Sequence, residues 1–211
     1  STFHPEFAFL PRKFKIAISG ATSDRAATLV HDIGLVALKD AAGNIGFRVA
    51  VGGGLGRTPI VGTVIRDFVP WQHLITYCEA ILRVYNRWGR RDNAWKARIK
   101  ILVKALGIEA FRHEVEEEWA RSKDGPGTIT EAELARVSAH FAPPAYENLA
   151  AHDTTFDALL TDNKAFATWV KRNVRAHRQP GYASVILSLK KTGTAPGDIS
   201  AEQMDHIAEL A

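Results

Sequence analysis

Apolar and polar positions alternate from Lys13 to Ser19. Phe14, Ile16 and Ile18 are set against Lys13, Lys15, Ala17 and Ser19, the period of a half-buried strand. Side chains two apart on a strand share a face, so Lys13 and Lys15 are predicted to point together into whatever lies opposite the core, with Arg12 pointing the other way. Pro11 marks an extended approach to this strand. Two further apolar runs, Gly34 to Leu38 and Gly46 to Val51, flank the polar stretch Asp40 to Asn44 and predict a hairpin. The second run leads straight into Gly52-Gly53-Gly54-Leu55-Gly56, where missing Cβ atoms let backbone approach a bulky ligand or take positive φ. That run has neither the G-x-G-x-x-G spacing nor the Gly-Lys-Ser/Thr ending of nucleotide loops.

From Trp71 the pattern changes to helical spacing. Trp71, Leu74, Ile75, Cys78, Ile81, Leu82, Tyr85 and Trp88 step by three or four and predict a helix that buries Cys78 and stops near Gly89. A second helix is predicted over Ala94 to Leu106, ended by Gly107, and a third over Glu109 to Trp119. On one continuous helix Arg98 and Lys100 stand about 200° apart, so the two serve a common ligand only at a helix end.

The composition shifts at Ser122 to Gly127, a loop that we take as a boundary. Beyond it the chain is alanine-rich and weakly patterned to about Asp153. A short helix near Ala165 to Val170, a strand over Tyr182 to Leu189, a Gly193 to Gly197 turn and a final helix capped by Ser200 and Gln203 follow. The predicted fold class is α+β, with one mixed-sheet domain over residues 1–123 and a second, truncated unit over 124–211. No internal repeat is visible.

Charge refines the picture. The net formal charge is +4, and the segment Arg83 to Lys104 holds eight basic residues against the single acid Asp92, while Glu109 to Glu118 is acidic. Apolar runs are broken far short of the roughly 20 residues of a spanning helix, so a membrane span is not predicted. The N-terminus has no secretory pattern. The single cysteine, Cys78, fits a reducing compartment, with the cytoplasm as the expected location. The eight histidines are scattered without metal-ligand spacing.

Three features converge on anion chemistry: paired lysines on a strand, a glycine run able to lie against a flat ligand, and a basic helical segment. Each alone has a bland alternative: a solvated face, a turn, and a surface or nucleic-acid patch. A non-enzymatic polyanion-binding module using Arg83 to Lys104 is therefore the competing class.

The words themselves carry a resemblance. Leu10-Pro11-Arg12-Lys13-Phe14-Lys15, Asp32-Ile33-Gly34, the run from Gly46 to Gly56, and Glu79 to Asn86 leading to Ala97-Arg98-Ile99-Lys100 occur in the order seen in the siroheme-dependent nitrite and sulfite reductase family. Gly181 to Ala208 resembles the start of that family's second ferredoxin-like half. The resemblance implies a siroheme-binding mixed sheet with helices, followed by a partial ferredoxin-like half-domain. It implies an oxidoreductase that reduces sulfite to sulfide, or nitrite to ammonia, at siroheme coupled to a 4Fe-4S cluster, with a ferredoxin or a flavoprotein subunit as electron donor.

By the same resemblance Lys13 and Lys15 are the catalytic residues on the substrate side. Arg12, Arg98 and Lys100 are candidates for the siroheme carboxylates, and Gly52, Gly53 and Gly54 for the seat of the macrocycle. Plant nitrite reducers tend to carry asparagine at the position of Lys15, and a second cation suits a more highly charged oxyanion, so sulfite is the favoured substrate. The cluster cysteines are absent from this chain and are expected beyond Ala211, with a first ferredoxin-like half before Ser1. Cys78 is then a core residue, no metal is held by these residues, and the chain alone is expected to be inactive.

Overall fold

The computed structural model describes residues 4–150, 152–189, 193–195 and 197–210. The chain divides into two units, residues 1–141 and 142–211.

The first unit is built on a four-stranded mixed sheet in the order β1-β2-β3-β4. β1 (Ile16–Ser19) runs parallel to β2 (Ile33–Lys39), and β3 (Ile45–Val51) and β4 (Thr63–Pro70) follow antiparallel. The β2–β3 hairpin forms where the pattern predicts it. Asp40 closes the turn by accepting the backbone N–H groups of Ala42 and Asn44 at 2.9 Å each, and Gly43 supplies the left-handed residue at φ 86°. β4 carries no sequence signal of comparable strength. Its buried positions, Ile65 and Val69, are interrupted by Arg66, Asp67 and Phe68, and a register shift accompanies it along β3.

α1 (Leu74–Trp88) follows a single 3-10 turn at Trp71–His73 and ends as predicted, the Gly89 N–H closing on the Tyr85 carbonyl. With α3 (Ile108–Ser122) it covers one face of the sheet. Tyr77, Ile81, Val84, Tyr85, Phe111 and Val115 meet Ile33, Leu35, Val49, Val51 and Val69 in a core of fully buried side chains. Burial of that apolar area is the main stabilising term of the unit. Glu116 ties a polar corner to it, accepting from the Tyr77 hydroxyl at 2.8 Å and pairing with Arg66, which lies over the Trp119 ring at 4.5 Å.

Two expectations change. The helix predicted over Ala94 to Leu106 is broken. A 3-10 turn at Ala94–Lys96, capped by the Asn93 side chain, gives way to an extended Arg98, and only Ile99–Leu106 forms the helix α2. In β1 the period is right, but Ile16 and Ile18 remain 41% and 56% exposed while Ala17 and Ser19 are buried. Ile16 and Ile18 pair with the core residues Ile33 and Leu35 and so face the helical layer. That layer does not reach the edge of the sheet, and an open apolar groove of about 320 Å³ remains between them and Leu74, Ile75, Cys78 and Leu82. The opposite face of β1 is closed by the segment Asp24 to His31, which crosses Gly34 so tightly that a Cβ there would lie 2.4 Å from the Thr28 carbonyl oxygen.

Residues 124–141 belong to the first unit. The Ile129 N–H donates to the Gln72 carbonyl at 2.8 Å, and α4 (Glu131–Ser138) is capped by Thr130. The contact boundary therefore falls later than the Ser122 to Gly127 loop.

The second unit holds α5 (Thr154–Asp162), α6 (Lys164–Asn173), an antiparallel pair β5 (Val174–Ala176) and β6 (Ala183–Val185), and α7 (Ala201–Leu210). Ser200 and Gln203 form the predicted capping box. The strand expected over Tyr182 to Leu189 spans only three residues, and part of the Gly193 to Gly197 turn lies outside the described residues. Aromatic contacts of Tyr146, His177 and Tyr182 organise one end, but no described side chain of this unit is buried. Among the described residues the two strands and exposed helices form an α+β element without a buried core.

Burial makes the first unit sensitive to alkali. It pushes the Tyr85 hydroxyl up to about 12 from 10.0 and the Cys78 thiol up to about 12 from 9.0, and raises Tyr77 further. From about pH 9 to about pH 12 the unfolded chain releases these protons while the folded chain keeps them, so the folded state binds more protons and stability falls as pH rises. Lys100, depressed by burial below its ordinary 10.5, acts in the opposite sense but is one group against three. Urea midpoints are expected to fall steadily above pH 9, and Cys78→Ala is expected to flatten the first part of that decline; an unchanged midpoint up to pH 11 would contradict this assignment.

Candidate anion-binding site

Asp32 occupies the last position before β2 and is 1% exposed. Its carboxylate accepts from the backbone N–H of Lys15 at 3.0 Å and, in a two-pronged contact, from Arg98 Nη2 at 2.7 Å and Nε at 3.1 Å. Its carbonyl accepts the Gly52 N–H at 3.0 Å. One residue thus fixes the start of β1, the start of α2 and the glycine run to each other. Tyr85 adds a second tie, since its fully buried hydroxyl lies 2.8 Å from the Ala97 carbonyl and 3.1 Å from that of Arg12.

Held in this way, Lys13 and Lys15 fall just before β1 and not on it as predicted, while Phe14 between them lines the apolar groove with Ile16 and Ile18. Both lysines line an open pocket of about 300 Å³ with Val30, His31, Asp32, Leu55, Gly56 and Arg98. Among the described residues neither ammonium group takes part in an ion pair. A second pocket of about 660 Å³ shares Lys13, Leu55, Gly56 and Arg98 with the first and adds Arg12, Arg57, Thr58, Trp95, Lys96, Lys100 and Ile101. The two form one basic surface depression.

The remaining predicted residues are placed as follows. Arg12 donates to the Ala94 carbonyl and stacks on Trp95 at 5.3 Å, at the wall of the larger pocket. Arg98 precedes α2 in extended conformation, so the helical-wheel separation from Lys100 does not apply; both reach the larger pocket at the helix end. Lys100 is buried and donates to the carbonyls of Thr58 at 2.6 Å and Leu55 at 3.3 Å, and burial followed by the neighbouring Arg98 lowers its pKa. Its ammonium group pins the loop after the glycines.

Gly52, Gly53 and Gly54 line neither pocket, in contrast to their expected role as a ligand seat. A Cβ on Gly53 would lie 2.2 Å from the Leu29 carbonyl oxygen and 2.6 Å from that of His31, and one on Gly54 would meet Lys100 and Arg98. Gly52 takes φ 78°. The missing side chains serve a close approach of the chain to itself; Leu55 and Gly56 are the loop residues that face the pockets.

The arginine-rich run is not a free basic face. Arg83 pairs with Glu6 and Glu118, Arg87 with Glu114 and Glu118, and Arg90 with Asp92, while Arg91 donates to Asn86 and backbone carbonyls. The acids of α3 neutralise the cations of α1, so the polyanion-module reading loses most of its contacts.

His31 is a lining residue that the sequence pattern did not single out, being one histidine among eight with no spacing signal.

Residues 1–123 match the family model described as the nitrite and sulphite reductase 4Fe-4S domain. The chain belongs to that family. Among curated relatives, the NADPH sulfite reductase hemoprotein beta-component of Methylorubrum populi is 33% identical over 130 residues, covering 58% of this chain and 21% of its own length. Sulfite reductase (ferredoxin) 1 of Mycolicibacterium paratuberculosis is 36% identical over 125 residues, 58% of this chain and 22% of the relative. The solved structure of the Mycobacterium tuberculosis NirA protein superposes with a TM-score of 0.51 at 33% identity, over 58% of this chain and 22% of that one. The chain spans about a fifth of the length of the relatives it matches.

The cluster named in the family description does not fit the residues of this chain. A 4Fe-4S cluster is held by several thiolates. Cys78 is the single cysteine, half-buried on α1 at the wall of the apolar groove with its thiol raised in pKa, and no group of three metal-ligating side chains occurs among the described residues. No helix among them is long and apolar enough to cross a membrane.

Two substitutions, each paired with a control, test these contacts. Asp32→Asn leaves the Arg98 guanidinium without its counter-charge and is expected to cost about 3 kcal/mol in urea unfolding, whereas Asp92→Asn, at an exposed pair, is expected to leave the midpoint unchanged. Gly53→Ala is expected to cost about 1–3 kcal/mol because backbone must move to admit the methyl group, with Gly20→Ala, which meets nothing within 4 Å, close to neutral.

Proposed function

We propose that the first unit forms the substrate side of a siroheme pocket in a sulfite reductase hemoprotein, with Lys13 and Lys15 as its catalytic residues. The observation that carries this reading is the pair of lysines without ion-pair partners that open, together with Arg98, into one basic depression. Cations of that number suit a carboxylate-rich tetrapyrrole and a small oxyanion side by side.

In this reading Arg12, Arg98 and Lys100 border the cofactor's carboxylates, with Arg57 and Lys96 beside them on the same wall. Lys100 contributes mainly by fixing the Leu55 to Thr58 loop, since its donors are already committed to carbonyls. Siroheme, when bound, supplies the iron at which electrons reach the substrate. Lys13 and Lys15 hold the oxyanion by charge-assisted hydrogen bonds and carry protons to the oxygen that departs as water. Arg98 keeps its Asp32 contact throughout and sets the distance between the two walls.

The second lysine favours sulfite over nitrite, because the more highly charged oxyanion gains more from it. The reductase names of the two curated relatives agree with sulfite and name two electron donors, NADPH and ferredoxin. The whole protein receives its electrons from one of these, and its cluster ligands come from polypeptide other than these 211 residues. The chain alone therefore does not reduce sulfite.

In the cluster-bearing hemoprotein, Lys13→Ala is expected to lower sulfite turnover by about 100-fold while leaving the haem absorption spectrum in place. Loss of the haem spectrum would instead move Lys13 to cofactor binding, and unchanged turnover with an unchanged spectrum would remove it from the site.

A further inference from the structure

His31 lines the smaller pocket together with Lys13 and Lys15, and nothing in the sequence pattern gives it a role. It follows the 3-10 turn Thr28–Val30, whose geometry is fixed by Asp24: the carboxylate accepts from the Thr28 backbone N–H and hydroxyl, each at 2.8 Å, and from the Ala26 N–H at 3.1 Å. Ala27 is held at φ 50°, the one described non-glycine residue in the left-handed region. Such a conformation persists where surrounding contacts impose it, and here it aims the Ala27 carbonyl at the imidazole, 3.0 Å from Nδ1.

That contact decides the tautomer. A carbonyl only accepts, so Nδ1 carries the hydrogen and Nε2 is left with a lone pair. Nε2 has no partner among the described residues, and the ring borders the pocket. The charged groups facing it are Lys13 and Lys15 from the approach to β1, Arg98 from the start of α2, and Asp32 beside it in sequence. The Asp32 carboxylate, which also lines the pocket, is committed to Arg98 and the Lys15 N–H. Two ammonium groups and the Asp32–Arg98 pair thus surround the ring, and an oxyanion placed among them adds a negative charge that favours a proton on Nε2.

We infer that His31 is an anion-contacting residue of this pocket, taking up one proton at Nε2 as an oxyanion binds and donating a hydrogen bond to it. Oxyanion binding is then linked to proton uptake, so the anion arrives with a proton already positioned beside it. The balance is simple: one proton leaves solvent and one N–H bond forms, with no redox change. This inference rests on the proposed oxyanion pocket, but its readout does not depend on siroheme or turnover.

The test uses the 211-residue chain with sulfate, a dianion that does not itself titrate between about pH 5 and pH 8. The His31 Cε1–H resonance is followed across that range with and without sulfate, and sulfate affinity is measured at both ends. Expected are a titration midpoint for His31 moved to higher pH by sulfate, and binding about tenfold tighter near pH 5.5 than near pH 8, the two effects being reciprocal. His31→Gln is expected to retain binding but lose its pH dependence. If Lys13→Ala abolishes sulfate binding while the His31 resonance ignores sulfate in the parent chain, the role of His31 is overturned and the pocket stands. If sulfate binding is absent or indifferent to Lys13→Ala, the pocket and the role of His31 both fall.

Discussion

The contact on which the first unit depends is the nearly buried carboxylate of Asp32 against the Arg98 guanidinium. A carboxylate taken out of water is costly unless its lone pairs are filled, and here Arg98 and the Lys15 N–H fill them. The same residue receives the Gly52 N–H on its carbonyl. Strand, helix start and loop are thereby locked at one point, and Lys13, Lys15 and Arg98 converge because each is within a few residues of that lock. The pocket is a consequence of this junction rather than a cleft between otherwise independent elements.

The cations of the chain divide into two populations. Those of α1 are spent on the acids of α3 and on Glu6, and act as cross-links between packed helices. Of those near the junction, Arg98 pairs with Asp32, Lys100 and Arg12 are anchored to carbonyls at the pocket rim, and Lys13 and Lys15 stay open to solvent. A count of charges along the chain treats both alike. What separates them is whether a free acid stands on the facing element: α3 faces α1 with Glu114 and Glu118, whereas the single acid of the Asp24 to His31 segment, Asp24, is committed to Ala26 and Thr28.

The glycine run shows the same divergence between pattern and use. Its lack of side chains is required, but the surface pressed against Gly53 is the backbone of Leu29 and His31. This close approach brings the strained turn at Ala27 and the His31 ring to the pocket edge. The edge strand β1 is similarly half-used, with Ile16 and Ile18 facing the helical side beyond the reach of α1.

Much of the fold was legible from local pattern. Alternation gave the β2–β3 hairpin and the period of β1, three-four spacing gave α1 and α3, and Gly89 and Gly107 marked real helix ends. The ordered motifs pointed to the family. β4 was not legible because charged residues interrupt its apolar positions, and the break before Arg98 because nothing in the spacing distinguishes a helical turn from a 3-10 turn followed by an extended residue. The sequence by itself determined which segments become strands and helices, since those depend on neighbours a few residues away. Only tertiary structure decided which cations stay free, what the glycines touch and that His31 joins the pocket, because each depends on which residue, distant along the chain, supplies the facing charge or backbone.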